Sequence, residues 1–346
     1  MKKPESAITS SPWLARLGRV FAHWETLLIS IFIIVNIINI SLSPYYLNYN
    51  NFMNSMINFM DKGVMVYGIM MVLILGEIDI SIASIITLSA CTAGWAFELG
   101  IPLWLCIIIA LSVGVLCGAF NGLLLVAFPE LNSTIVTLGT QILFRGLAYM
   151  LLEDASLKGY AKQLSLLAWG QILGIPVILF SFIILTIVCG YIIHRMAFGR
   201  RLYAIGTNSN AAFFSGIHTN RIKLLVFSMS GLCAAFAGLF LAAKLASVRA
   251  SIAQGYEMEV IAMAILGGAA YGKGRVIGVA LGAFTIGLIR YGTGLVNIPS
   301  EMLKIIIGIL LIVVCAMPNM KFVIADFMEA RRGKKLLAKS VLDRNR

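Results

Sequence analysis

The sequence predicts an all-α integral membrane protein with about ten transmembrane segments. Three observations carry that reading. Of 346 residues, 60% are hydrophobic and only 12% charged, where a water-soluble domain has about 45–50% apolar and about 25% charged residues. The mean hydropathy is +0.94. The apolar residues also come in long unbroken runs, not in the alternation of an outer-membrane barrel. There is too little polar side chain to cover a water-facing surface, which excludes a soluble globular enzyme and a disordered chain. At ~20 residues per span, this length allows roughly eight to eleven spans.

Taken in order, residues 1–25 read as an N-terminal tail. They lack the apolar core and cleavage site of a signal peptide and have room for a short interfacial helix over 13–23. The first span is 26–42, followed by a stretch rich in Ser, Tyr and Asn over 43–58. Spans are then expected over 63–76, 80–97, 102–128 and 135–152, and, after a polar connection, over 172–196. A basic, polar connection occupies 197–221. Spans over 224–246, 257–270, 276–296 and 302–317 complete ten, so the membrane domain is 26–320 and residues 321–346 form a basic tail. Two segments, 63–76 and 257–270, give ~21 Å of helix at ~1.5 Å per residue, short of a ~30 Å hydrocarbon core. Short or broken helices in the two halves of a chain mark a substrate path at a repeat interface. A faint internal echo fits that. Gly118-Ala119-Phe120-Asn121-Gly122-Leu123 and Gly282-Ala283-Phe284-Thr285-Ile286-Gly287-Leu288 lie in the fourth and ninth spans, as an inverted five-plus-five repeat would place them.

The net charge is +12. With the N-terminus inside, one side collects the lysines and arginines of both tails, of the connection 197–221 with its flanks (Arg195, Arg200, Arg201, Arg221, Lys223), and Lys273 and Arg275. That is 19 of the 27 in the chain. The excess reads as membrane orientation, with both termini cytoplasmic, and not as nucleic-acid binding. The six cysteines lie singly in apolar runs without metal-ligand spacing. His23, His194 and His218 are scattered, and no catalytic triad or zinc pattern emerges. No phosphate-binding G-x-x-x-x-G-K-[ST] occurs, so no metal or cofactor is expected in this chain, and it is not expected to hydrolyse ATP itself.

Several polar residues interrupt the apolar runs. Glu77, Asp79 and Ser81 break an apolar stretch just after Gly76. Intramembrane acids cost roughly 2.5–3.5 kcal/mol each on insertion scales, so they face a cavity or a partner; the alternative is a plain turn with capping acids. Asn121 lies in the apolar fourth span, and Thr137 and Thr140 offer hydrogen bonds to a polyol, although such threonines also bind the carbonyl four residues back. Arg145 calls for a carboxylate or backbone carbonyls, or snorkels to an interface. Glu257 and Glu259 open the eighth span as path residues or as favourable charges at a helix N-terminus. These nine are the candidates for a translocation path or gate. In the connection 197–221, Gly199, Arg200, Gly206, Asn208, Asn210, Ala211, Ala212, Phe213, Phe214 and Gly216 form a glycine-punctuated stretch with a short helical core over 210–215. Its two adjacent aromatics are expected to meet a protein or the membrane interface.

At these residues the chain resembles the permease subunits of bacterial ABC importers for monosaccharides, of the ribose, rhamnose and autoinducer-2 type. The larger family also holds branched-chain amino acid and nucleoside permeases. Gly76-Glu77-Ile78-Asp79-Ile80-Ser81 is similar to its G-G-I-D-L-S, and residues 118–123 to its G-x-x-N-G-L. Residues 135–146 resemble its I-V-T-L-G-T…R-G, and 198–217 its F-G-R-x-x-Y-A-I-G-x-N…A-A-x-x-x-G-I. Residues 255–268 resemble its G-Y-E-L-D…G-G. Glu77 departs from the pattern where glycine is common, as does the pair Phe213-Phe214. The resemblance implies a permease in a bacterial inner membrane that works with a second permease subunit, identical or not. Two cytoplasmic ATP-binding subunits and a periplasmic or lipid-anchored sugar-binding protein would complete the importer. The 197–221 connection would be the ATPase-coupling loop, with alternating access driven by the partner's ATP. A nucleoside or branched-chain amino acid permease, and an ion-coupled secondary transporter, are the competing readings.

Overall fold

The computed structural model describes residues 24–313 and 316. The interfacial helix expected over 13–23, most of the N-terminal tail, Cys315 and the tail 321–346 lie outside the described residues.

Helix α1 spans Trp24–Leu42. Helix α2, Tyr49–Leu75, corrects the sequence-based expectation of a polar stretch followed by a short 63–76 segment. Asn48 caps it through a bond from the Asn51 N–H, and it runs 27 residues to Gly76, which closes it at φ 90. At ~1.5 Å per residue that is about 40 Å, more than a hydrocarbon core needs. The expectation failed because Asp61 and Lys62 look like the end of a membrane run. In the fold both are buried and paired, Asp61 with Lys244 at 2.8 Å and Lys62 with Glu259.

After a non-helical stretch over 77–80 come α3 (Ile82–Glu98), α4 (Leu103–Ala127) and α5 (Ser133–Leu152). Two single-turn helices follow, α6 (Gly159–Gln163) and α7 (Ser165–Trp169). A two-residue antiparallel pair, β1 (Gln171–Ile172) and β2 (Ile175–Pro176), aligns Gln171 with Pro176 and Ile172 with Ile175. Its turn uses positive φ at Leu173 and Gly174, so the next helix, α8, starts at Val177 and not at 172, and ends at Arg195. The basic connection folds as two helices, α9 (Ala197–Thr207) and α10 (Ser209–Phe214). Then come α11 (Thr219–Leu245), α12 (Tyr256–Leu266) and α13 (Val276–Leu295), and residues 300–313 are helical. Helix α12 has 11 residues, about 16 Å, and is too short to span.

Six of these helices (α2, α4, α5, α8, α11 and α13) are long and apolar enough to cross a membrane, and α1 and α3 contain shorter apolar stretches. Their outward rows are apolar, such as Ile33, Ile34 and Ile37 on α1 and Ile184, Ile187 and Tyr191 on α8. The interior is built on α2, whose most apolar 18-residue window is 94% buried. Helices α4 and α11 meet almost backbone to backbone. A Cβ on Gly118 would stand 2.1 Å from the Phe227 carbonyl oxygen, and one on Gly231 would stand 2.0 Å from that of Gly114. Small residues give this close approach, and van der Waals contact then holds helices that lipid offers no reason to pair.

The two ends of the bundle differ. At one, Arg195, Arg200, Arg201, Arg221, Lys223, Lys273 and Arg275 belong to the end of α8, to α9, to the start of α11 and to the 267–275 connection. These pieces meet there: Gly206 of α9 lies on the last turn of α2, and the Gly272 N–H donates to the Ile74 carbonyl at 2.8 Å. At the other end, residues 153–176 fold over the bundle. Leu157 pairs with Val248, and the Tyr49 hydroxyl donates to the Gly174 carbonyl at 3.4 Å.

Candidate transport site and coupling surface

Four of the sequence-predicted site residues come together. The non-helical 77–80 stretch is threaded between helices, so its backbone groups need partners from outside. Helix α5 supplies two: the Ile78 N–H donates to Ser133 Oγ at 3.1 Å and the Ile80 N–H to Thr137 Oγ1 at 3.2 Å. Asp79 Oδ1 accepts from the Ser81 N–H (2.9 Å) and the Ser81 hydroxyl (2.6 Å), and Oδ2 accepts from the Ser230 hydroxyl on α11 at 3.3 Å. Asn121 on α4 donates its Nδ2 to Ser81 Oγ at 2.7 Å. Asp79, Ser81, Asn121 and Thr137 are each 1% exposed or less. The cluster therefore holds α3, α4, α5 and α11 around one carboxylate, and Asn121 Oδ1 is left buried without a partner.

Glu77 does not join it. Its carboxylate pairs with Lys223, in α11, at 2.6 Å. The Thr137 hydroxyl donates to the Ser133 carbonyl, four residues back, at 2.8 Å. Thr140 donates to the Thr137 carbonyl at 3.3 Å.

A second polar group lies nearer the end capped by residues 153–176. Arg145 donates to Thr87 Oγ1 (2.8 Å) and to the Ala250 (3.0 Å) and Ile252 (2.8 Å) carbonyls. It thereby pins the irregular stretch after α11, where the Ile252 carbonyl also accepts from the Thr87 hydroxyl at 2.8 Å. Beside it, Gln141 Nε2 donates to Glu257 Oε1 at 3.4 Å, while Glu257 Oε2 is buried and unpartnered. Glu259 receives Arg290 through both Nε (3.1 Å) and a terminal nitrogen (2.9 Å), as well as Lys62, whose ammonium also sits 4.1 Å above the Tyr256 ring. Such bidentate pairing, with extra donors, is what makes a desolvated ion pair tolerable. Glu257 and Glu259 thus part ways: one is open to a further donor and one is fully engaged.

Sequence reasoning missed Asp61, Lys62, Ser230, Lys244 and Arg290. Lys244 and Arg290 are single cations in otherwise apolar runs, a signal equal in kind to Arg145. Their partners, however, come from other helices: Lys62 and Glu259 are 197 positions apart.

At the basic end, the stretch expected to couple to a partner is a rigid elbow ending in an exposed tip. Gly199 is packed on the Ile193 carbonyl and Gly206 on that of Ile74, so close that neither has room for a Cβ. The Tyr203 hydroxyl donates to the Gly274 carbonyl at 2.6 Å. Burial pushes this phenol above the ordinary tyrosine range, and the Arg275 charge only partly opposes that, so it stays a neutral donor at physiological pH. Arg200 is exposed and reaches the Arg195 carbonyl at 3.5 Å. Asn208 caps α10 by accepting from the Ala211 N–H at 3.0 Å. Ala212 faces inward, while Asn210 and Ala211 are exposed, and Phe213 and Phe214 are 61% and 87% exposed. The two rings lie edge to face, 5.7 Å apart. Gly216, at φ 82, turns the chain back toward α11, a backbone state open to glycine at little cost. Among the described residues no three His, Cys, Asp or Glu side chains are grouped to hold a metal ion.

Comparison with known proteins gives this bundle its class. Residues 51–315 match the family described as the permease component of the branched-chain amino acid transport system, and the chain belongs to that family. Among curated proteins it is similar to two kinds of relative. One is the autoinducer 2 import system permease protein LsrD of Enterobacter sp. (strain 638), 31% identical over 300 residues, covering 84% of this chain and 91% of the relative. The other is the ribose import permease protein RbsC. The Bacillus subtilis protein is 31% identical over 297 residues, 85% of this chain and 92% of the relative. The Escherichia coli K12 protein is 29% identical over 300 residues, 85% and 93%. No solved structure matches the chain.

Proposed function

We propose that this chain is the membrane-spanning permease subunit of an ABC importer that carries a monosaccharide or related small polyol across a bacterial inner membrane. The exposed Phe213–Phe214 tip on a backbone-locked elbow carries the reading: it is built to meet a partner and to pass a force into the bundle. The similarity to ribose and autoinducer 2 import permeases supports the substrate class. Burying two such rings would contribute about 1.5–3 kcal/mol each to association. The partner is a cytoplasmic ATP-binding subunit, with a sugar-binding protein on the opposite side. ATP is bound by the partner, and the permease alters no bond of its cargo.

Ten membrane segments with cytoplasmic termini follow from adding α1, α3, α12 with its connection, and the 300–313 helix to the six long spans. The gathering of basic residues at the α9 end supports this orientation. The domain limits 26–320 and the inverted five-plus-five relation belong to the same reading. Helices α2 and α11, each 27 residues long and closed by a positive-φ residue, lead into the short helices α3 and α12 in the two halves.

The path runs along the face of α5 and α12 where Gln141, Arg145 and Glu257 stand partly exposed among apolar residues. A second permease subunit, packed there, would enclose them. The Asp79, Ser81, Asn121 and Thr137 cluster acts at the gate by fixing the 77–80 segment, with Thr140 one turn on; Glu259 holds α12 in place.

The test is a double change, Phe213→Ser with Phe214→Ser, in the permease co-expressed with its ATPase. Loss of ATPase co-purification and of ATP-dependent uptake, at normal membrane levels, is expected. Retention of both would remove α10 as the docking site and weaken the importer reading with it.

A further inference from the structure

The coupling segment holds the end of α2 at two places. On its N-terminal side the grip is backbone: Gly206 lies against Ile74, where a Cβ would come within 1.7 Å of the carbonyl oxygen, and the Gly272 N–H binds that same oxygen at 2.8 Å. On its C-terminal side the grip is ionic. Lys223, early in α11, pairs with Glu77 at 2.6 Å, both side chains being only about a quarter exposed or less (24% and 21%).

Little slack separates this pair from the exposed aromatic tip. The Ile217 N–H returns to the Ala212 carbonyl at 3.1 Å and the Thr219 N–H to that of Ile217 at 2.8 Å, so the turn at Gly216 is closed by its own hydrogen bonds. On the other side of the pair, Glu77 is the first residue of the non-helical 77–80 stretch. Ile78 and Ile80 are bound there by α5, and Asp79 by Ser81 and by Ser230 of α11. Gly76, at φ 90, turns the chain out of α2, and the Glu77 N–H still binds the Val72 carbonyl at 3.1 Å.

We propose that Glu77 and Lys223 are positioning residues of the transport cycle: their ion pair is the link through which displacement of α10 reaches the 77–80 segment and the Asp79 cluster. This rests on the reading of α10 as the ATPase docking site and deepens it. The rival explanation is a plain surface pair that contributes little, and charge exchange separates the two.

The experiment uses the full permease co-purified with its ATPase in lipid nanodiscs, with ATP plus vanadate as the probe, so that no transported sugar needs to be known. Ile78, half-buried beside Glu77, is replaced by cysteine. Its maleimide labelling rate is compared with and without ATP–vanadate, after subtracting the rate of the parent without that cysteine. A nucleotide-dependent change of at least about fivefold is expected, the lower end of coupling between linked sites. In Glu77→Gln and in Lys223→Gln that change should vanish while the ATPase still co-purifies. The exchanged pair, Glu77→Lys with Lys223→Glu, should restore most of it. An unchanged labelling rate in the parent, a full response in either single variant, or an exchanged pair no better than the singles would each overturn the proposal. Retention of the ATPase by the Phe213→Ser, Phe214→Ser variant would instead sink the docking reading beneath it.

Discussion

Asp79 shows what a single residue does here. A carboxylate 1% exposed, accepting from Ser81 twice and from Ser230 once, is a knot between helices. Asp79→Ala removes the acceptor and leaves its donors buried, which costs about 1–3 kcal/mol for an orphaned group. The variant is expected to insert at normal level, to melt at lower temperature in detergent and to lose uptake. Normal uptake with an unchanged melting point would show that the knot is dispensable. Much of this cluster was legible in the sequence, because Asp79, Ser81, Asn121 and Thr137 are polar residues in apolar surroundings and such residues need partners. Asp61 and Lys62 carry the same signal, but it went unused. Two adjacent charges after an Asn-rich stretch look like a membrane surface until Lys244 and Glu259 arrive from other helices to neutralise them.

Among elements, glycine placement decides which helices touch. Gly118 and Gly139 both lie in apolar helices, and nothing local tells them apart. In the fold a Cβ on Gly118 meets the Phe227 carbonyl at 2.1 Å, whereas one on Gly139 meets nothing within 4 Å. Gly118→Ala is therefore expected to push α4 off α11 and cost about 1–3 kcal/mol, the usual penalty of overpacking. Gly139→Ala should leave the detergent melting curve of the isolated subunit unchanged. Equal melting points for the two variants would refute the close α4–α11 contact. The same scale holds the correction of α2. Its length follows from ion pairing in three dimensions, so hydropathy read along the chain cut it in half. Helix α12 is the converse: its 11 residues are short in the fold, as the 257–270 segment already suggested.

For the molecule as a whole, the sidedness of the basic residues makes a direct prediction. Reporter fusions after Arg200 and after Lys335 should both read cytoplasmic, and a periplasmic signal at either would overturn the orientation. The fold is consistent with it, since α9, the start of α11 and the 267–275 connection share one end of the bundle, while residues 153–176 cover the other.

The sequence by itself determined the membrane class, the approximate place of most helices and the polar connection that carries the exposed Phe213–Phe214 tip. These depend on local composition and periodicity, which each segment carries alone. Only the tertiary structure decided that α2 is one helix, that Glu77 answers Lys223 and not the Asp79 cluster, and that Glu257 is open while Glu259 is bound. In each case the deciding partner lies far along the chain, and the energy that settles a buried charge depends on who stands beside it in space.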